Sequence, residues 1–100
     1  MVKYLEQWAK DHNVKYTKEK CGNIIMTVPA TKGMEDRKMI ALQAHMDMVC
    51  EKNGDKVHDF ENDPIEAVIK GEWLHANGTT LGADDGIGVA AALAVIADPT

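Results

Sequence analysis

Aromatic residues are scarce in this sequence. Two tryptophans, two tyrosines and one phenylalanine make up 5% of 100 residues. Packing therefore falls to alanine, valine, isoleucine, leucine and methionine. Cysteine is scarcer still: Cys21 and Cys50 are too few for a disulfide scaffold, and reduced thiols are expected. Positive charge is in deficit, with 11 Lys and Arg against 16 Asp and Glu and a net charge of −5. That balance argues against nucleic acid as a partner, because binding phosphates needs a basic patch. No apolar run reaches the roughly 20 residues of a membrane span. The stretch from Ile87 to Ala97 is too short and belongs to a core. The first residues, Met1-Val2-Lys3-Tyr4-Leu5-Glu6, lack an apolar segment followed by a cleavage site, so no signal peptide is expected.

What is present is 45% apolar and fits one globular domain at most. Val2 to Asp11 has helical spacing, with Leu5, Trp8 and Ala9 on one face and Glu6 and Lys10 as an exposed i,i+4 pair. His12-Asn13 ends it. Val14 to Lys18 alternates weakly and reads as a short strand; Cys21-Gly22-Asn23 is a turn; Asn23 to Val28 is rich in β-branched residues and reads as a strand closed by Pro29. Thr31 to Lys38 is a polar loop. Met39 to Ala44 is nearly all apolar, which predicts a central strand covered on both faces. Glu51 to Asp63 is polar and irregular. Ile65–Lys70, Gly71-Glu72 and Trp73–Ala76 predict a β-hairpin. From Gly86 the chain predicts a helix apolar on every face, hence buried, ended by Asp98-Pro99. Trp8 and Trp73 are expected in or beside the core. The order suits an α/β class with a mixed sheet.

Two stretches carry the chemistry. Ile40 to Val49 is a strand that ends by presenting His45 and Asp47, and residues i and i+2 of an extended chain share a face. Met46 and Met48 then point the opposite way. A lone histidine is commonly a satisfied structural residue; a carboxylate beside it is also the common device for orienting a metal-bound imidazole. The second stretch is Gly78 to Gly88, in which Asp84-Asp85 is bracketed by Gly82, Gly86 and Gly88. One of these aspartates can be explained as the cap of the following helix. Two adjacent ones in a glycine-rich turn also suit a carboxylate brought into a confined site. A phosphate loop is disfavoured, since two carboxylates repel phosphate and no such pattern is present. Thr79 and Thr80 are either ordinary strand-end residues or donors that fix the loop. His12, His58 and His75 read as surface or loop residues. Cys50 has no identifiable histidine base and is a poor candidate nucleophile.

His45-Met46-Asp47 followed by Gly78-Thr79-Thr80-Leu81-Gly82-Ala83-Asp84-Asp85-Gly86-Ile87-Gly88 resembles the co-catalytic zinc peptidases, a family that includes carboxypeptidase G and peptidase T. Within it the resemblance is to the aminoacyl-histidine dipeptidase branch. It extends to Met48-Val49, Lys52-Asn53, Val57-His58-Asp59-Phe60, Asp63-Pro64-Ile65 and Gly71-Glu72-Trp73, and to the separation 84 − 45 = 39 between His45 and Asp84.

The resemblance implies a fold, roles and partners. Residues 1–100 would be the N-terminal part of a three-layer mixed-sheet zinc exopeptidase catalytic domain. His45 and Asp84 would be metal ligands, Asp84 bridging two zinc ions, and Asp47 a catalytic-site residue that holds His45. Other divalent metals are compatible with this ligand set. The peptide bond after Asp84 is often cis in this family. The general base, the remaining ligands and the lid domain would lie further along a longer protein. Asp85 stands where this branch often has asparagine. The implied activity is hydrolysis of dipeptides, Xaa-His among them, by a cytoplasmic homodimer, with the 100-residue chain inactive by itself. The alternatives are a non-catalytic binding module on the same fold and a related metal-dependent deacylase.

Overall fold

The computed structural model describes residues 1–98. The N-terminal helix α1 covers Val2–Asp11, with Leu5 and Ala9 buried one turn apart. Asn13 ends it in the left-handed conformation, φ 55°. The Asn13 N–H donates to the Lys10 carbonyl at 3.1 Å and the Val14 N–H to the Ala9 carbonyl at 2.8 Å. This is a Schellman closure with asparagine in the place glycine usually takes.

Strands β1 (Lys15–Lys18) and β2 (Ile24–Thr27) follow as an antiparallel hairpin, Lys15 opposite Thr27 and Lys18 opposite Ile24. The Cys21-Gly22-Asn23 turn forms as expected, with Gly22 at φ 99° and the Glu19 N–H donating to the Asn23 carbonyl. Helix α1 lies against this hairpin. Tyr16, Ile24 and Met26 are its half-buried residues, and Leu5 and Ala9 its buried ones. Glu6 pairs with Lys18 at 3.3 Å. The ion pair therefore ties helix to hairpin and replaces the expected pairing with Lys10, since Lys18 is brought beside Glu6 by packing.

Strands β3 (Ala67–Lys70) and β4 (Trp73–Ala76) form the second hairpin, turning through Gly71-Glu72 with Gly71 at φ 62°. A positive φ at the first turn residue is what a two-residue hairpin loop demands there. Helix α2 spans Ala83–Ala97, but Asp84 and Asp85 have non-helical angles, so continuous helix begins at Gly86 as predicted. Pro99, expected beyond its end, lies outside the described residues.

Four expectations are corrected. Among the described residues the sheets are two separate antiparallel pairs, β1-β2 and β3-β4, so no mixed sheet is formed. Met39 to Ala44 forms no strand and is not buried: Met39 is 89% exposed and Ile40 78%. A central strand needs partners on both edges, and neither hairpin pairs with this segment. The α2 helix buries Val89 but leaves Ile87 and Val95 exposed. Its flank Gly88, Ala91, Ala92 and Val95 faces Ala41, Leu42 and Gln43 across an open cleft. Trp8 is half-buried and stacks on His12 at 3.9 Å, whereas Trp73, on a hairpin with nothing above it, is exposed.

Candidate metal centre

The site is assembled by two segments running antiparallel. The first carries His45 and Asp47 and continues through Met48 to Asn53. The second runs from Gly78 to Asp85. Backbone bonds join them: the Asn53 N–H donates to the Gly78 carbonyl and the Thr80 N–H to the Glu51 carbonyl, both at 2.9 Å, with Lys52 and Thr79 bridged between. The Thr80 hydroxyl adds a bond of 2.7 Å to the Val49 carbonyl. Further along, Gly82 is left-handed (φ 84°), and a methyl group there would stand 3.1 Å from the Met48 sulfur. Met46 and Met48 are half-buried while His45 and Asp47 are exposed, so the expected alternation holds although the segment is no strand.

At the end of this run His45 meets Asp84. His45 Nε2 stands 3.2 Å from Asp84 Oδ1, and Nδ1 stands 3.3 Å from Asp47 Oδ1 and 3.2 Å from the Asp47 carbonyl. Both ring nitrogens thus face aspartate oxygens. The hydrogen bond with Asp84 raises the His45 pKa above its ordinary value. Desolvation opposes that, while the Asp47 carbonyl and the charges of Asp47 and Asp84 add to it. The ring is about half exposed rather than buried, and the Asp84 side chain is 98% exposed. The Asp84–Asp85 peptide bond is cis.

Asp85 points elsewhere. Its Oδ1 accepts the Gly88 N–H at 3.1 Å, three residues on, which is the bond a helix cap makes. The pair of aspartates therefore divides: Asp85 caps α2 and Asp84 turns to His45. Thr80 links the segments, whereas Thr79 donates only to its neighbour's carbonyl. His58 packs edge-on to Phe60 and its Nε2 is buried without a partner among the described residues. Cys21 and Cys50 are exposed free thiols.

Sequence reasoning missed a network beside the site. Lys56 Nζ pairs with Glu66 Oε2 at 3.1 Å, and Asn77 Nδ2 donates to the same oxygen at 2.8 Å. Separations of ten and eleven residues carry no local signal.

The donor chemistry fits a divalent cation. Two neighbouring ligands on a tetrahedral zinc with bonds of about 2.0–2.1 Å lie roughly 3.3 Å apart. The 3.2 Å between Nε2 and Oδ1 matches that edge once the shared proton leaves. Among the described residues no group of three or more His, Cys, Asp or Glu side chains gathers into a fuller ligand set.

Comparison with known proteins agrees with the motifs. The chain is 55% identical over 98 residues to the cytosol non-specific dipeptidase of Escherichia coli (strain K12), covering 98% of this chain and 20% of that protein. It superposes on the crystal structure of an aminoacylhistidine dipeptidase from Vibrio alginolyticus with a TM-score of 0.90 and 49% identity, covering 97% of this chain and 20% of that one. No family model matches the sequence. Among the described residues no helix is long and apolar enough to cross a membrane. Along nearly its whole length, the chain is a homologue of the cytosol non-specific and aminoacylhistidine dipeptidases and spans about a fifth of their length.

Proposed function

We propose that the chain supplies part of the metal site of a metal-dependent dipeptidase, with His45 and Asp84 as ligands and Asp47 holding the His45 ring. The observation that carries this reading is the meeting of His45 Nε2 and Asp84 Oδ1 at 3.2 Å across 39 positions of sequence. The Asp47 main-chain carbonyl, at 3.2 Å, accepts the proton on Nδ1, with the Asp47 carboxylate 3.3 Å from the same nitrogen, and this leaves Nε2 as the ligand atom. Asp84 is almost wholly exposed, so its second oxygen is open to a second cation. Zinc, when bound, polarises the scissile carbonyl and acidifies a water. The chain's own residues do the holding: Asp47 orients His45, and Asp85 keeps to the helix cap and leaves Asp84 unrivalled.

This reading brings with it a dipeptide substrate, Xaa-His or another unblocked short peptide. It also places residues 1–100 in a catalytic domain that works as a homodimer in the cytosol for which the E. coli relative is named.

Two donors fall short of the four that zinc usually takes. The 100-residue chain is therefore expected to bind zinc weakly and to hydrolyse no dipeptide by itself. Calorimetric titration with zinc tests the assignment. His45→Ala and Asp84→Ala should each remove binding, and Asp47→Ala should weaken it by about 10- to 100-fold. Undiminished binding in both ligand variants would refute the site. Chelator-sensitive dipeptide hydrolysis by the purified chain would refute its inactivity.

A further inference from the structure

We propose that Thr80 is a positioning residue of this centre: its hydroxyl clamps the segment that carries His45 to the segment that carries Asp84 and so sets the distance between the two ligands. The inference rests on the metal-site reading above and adds to it a residue that touches neither ligand.

The clamp sits midway along two arms of equal length. Val49 lies four residues after His45, and Thr80 lies four residues before Asp84. The Thr80 hydroxyl donates to the Val49 carbonyl at 2.7 Å and stands 3.4 Å from the Glu51 N–H as its acceptor, while the Thr80 N–H donates to the Glu51 carbonyl at 2.9 Å. Between clamp and ligands, the Met48 side chain rests against Gly82, where the lack of a side chain permits the approach. Thr80 to Val49, Gly82 to Met48 and Asp84 to His45 thus form successive rungs. The first rung is a side-chain bond to backbone, and it is the bond between the segments nearest the ligands, so it can be removed without deleting either ligand or the backbone bonds at Glu51 and Asn53.

Thr79 supplies the contrast. Its backbone bridges Lys52, but its hydroxyl turns to the Thr80 carbonyl and makes no bond across the two segments. The two adjacent threonines therefore differ in what their hydroxyls do. Neither ligand depends on the Thr79 side chain.

Valine has the shape of threonine without the hydroxyl, and serine keeps the hydroxyl without the methyl. The full chain is compared as wild type, Thr80→Val, Thr80→Ser, Thr79→Val and His45→Ala. Without metal, the nuclear Overhauser effect between the His45 ring protons and the Asp84 β-protons should be present in wild type, Thr80→Ser and Thr79→Val and lost in Thr80→Val. The amide shifts of the β1-β2 hairpin should stay unchanged in all of them. With zinc as the probe, Thr80→Val should bind about 10-fold more weakly, as the loss of an orienting partner does, and Thr80→Ser should stay near wild type. Persistence of the His45–Asp84 effect in Thr80→Val, or its absence from the wild type, overturns the clamp whether or not zinc binds. Equal zinc binding by wild type and His45→Ala overturns the metal-site reading and leaves the metal-free result to decide the clamp.

Discussion

Glu66 keeps its charge to lower pH than a free glutamate because the Asn77 amide donates to its carboxylate, and the Lys56 ammonium then adds a hydrogen bond and a positive charge. The sign of the effect follows from that direction. A carboxylate whose pKa is depressed by folding contributes stability above its unfolded value, about 4.3, and loses it as pH falls through the folded value. The group is exposed, so the contribution is small and weakened by salt. Its structural role is larger than its energy, because Lys56 belongs to the loop that continues from the His45 segment, while Glu66 and Asn77 flank the second hairpin. In a carbon-13 NMR titration Glu66 should have a midpoint below the ordinary glutamate value. Asn77→Ala should move that midpoint upward and Lys56→Ala should do so less. An ordinary midpoint in the wild type would mean that the network does not persist in solution.

Helix α2 depends at its start on Asp85, whose carboxylate accepts the Gly88 N–H. A Cβ on residue 88 would meet that carboxylate in its present position, so the glycine there leaves the cap its room. Asp85→Ala should cost about 1 kcal/mol of helix stability, whereas asparagine, also a good cap, should nearly preserve it. Far-ultraviolet circular dichroism and amide exchange across Gly86 to Val89 would register the loss, and unchanged protection in Asp85→Ala would rule the cap out. This element also marks how far the sequence was legible. Helix α1, the strands and turn of the first hairpin, the second hairpin and the start of α2 at Gly86 followed from local spacing and turn chemistry, because their hydrogen bonds close within a few residues. The approach of His45 to Asp84 was legible only as motif: nothing in the spacing itself brings residues 39 positions apart into contact. The Thr80 clamp and the Lys56–Glu66–Asn77 network were not legible at all. Each joins side chains to groups that only tertiary structure brings near. Met39 to Ala44 failed for a different reason. Its composition correctly reports a segment that prefers burial, but a strand also needs a neighbour's backbone, and composition does not supply one.

At the scale of the molecule the chain is open. Its Cα radius of gyration is 16.9 Å, where a compact chain of this length has about 13 Å. Among the described residues only Leu5, Ala9 and Val89 are buried apolar side chains. Met39, Ile40, Leu42, Ile87 and Val95 are exposed, and two of them, Leu42 and Val95, line the cleft between the Ala41–Gln43 segment and α2. The matched relatives are about five times as long as the region they share with this chain, so the same apolar pattern sits there within a far larger body of protein. Contiguous exposed apolar surface of this kind binds hydrophobic dyes and associates with other apolar surface. The folded chain should therefore enhance anilinonaphthalene sulfonate fluorescence at neutral pH, and Leu42→Gln and Val95→Gln should each reduce the signal. Ile25→Gln, on the first hairpin and 50% exposed against 55% for Leu42, should leave it nearly unchanged because that residue lies outside the cleft. Small-angle scattering on dilute samples should give a radius close to the larger value. A radius near that of a compact chain, together with no dye binding, would mean that Met39 to Ala44 folds back and covers α2 in solution. Ala41 to Gln43 already face α2 while His45 meets Asp84 at its start, so such a closure would need no movement of His45 away from Asp84.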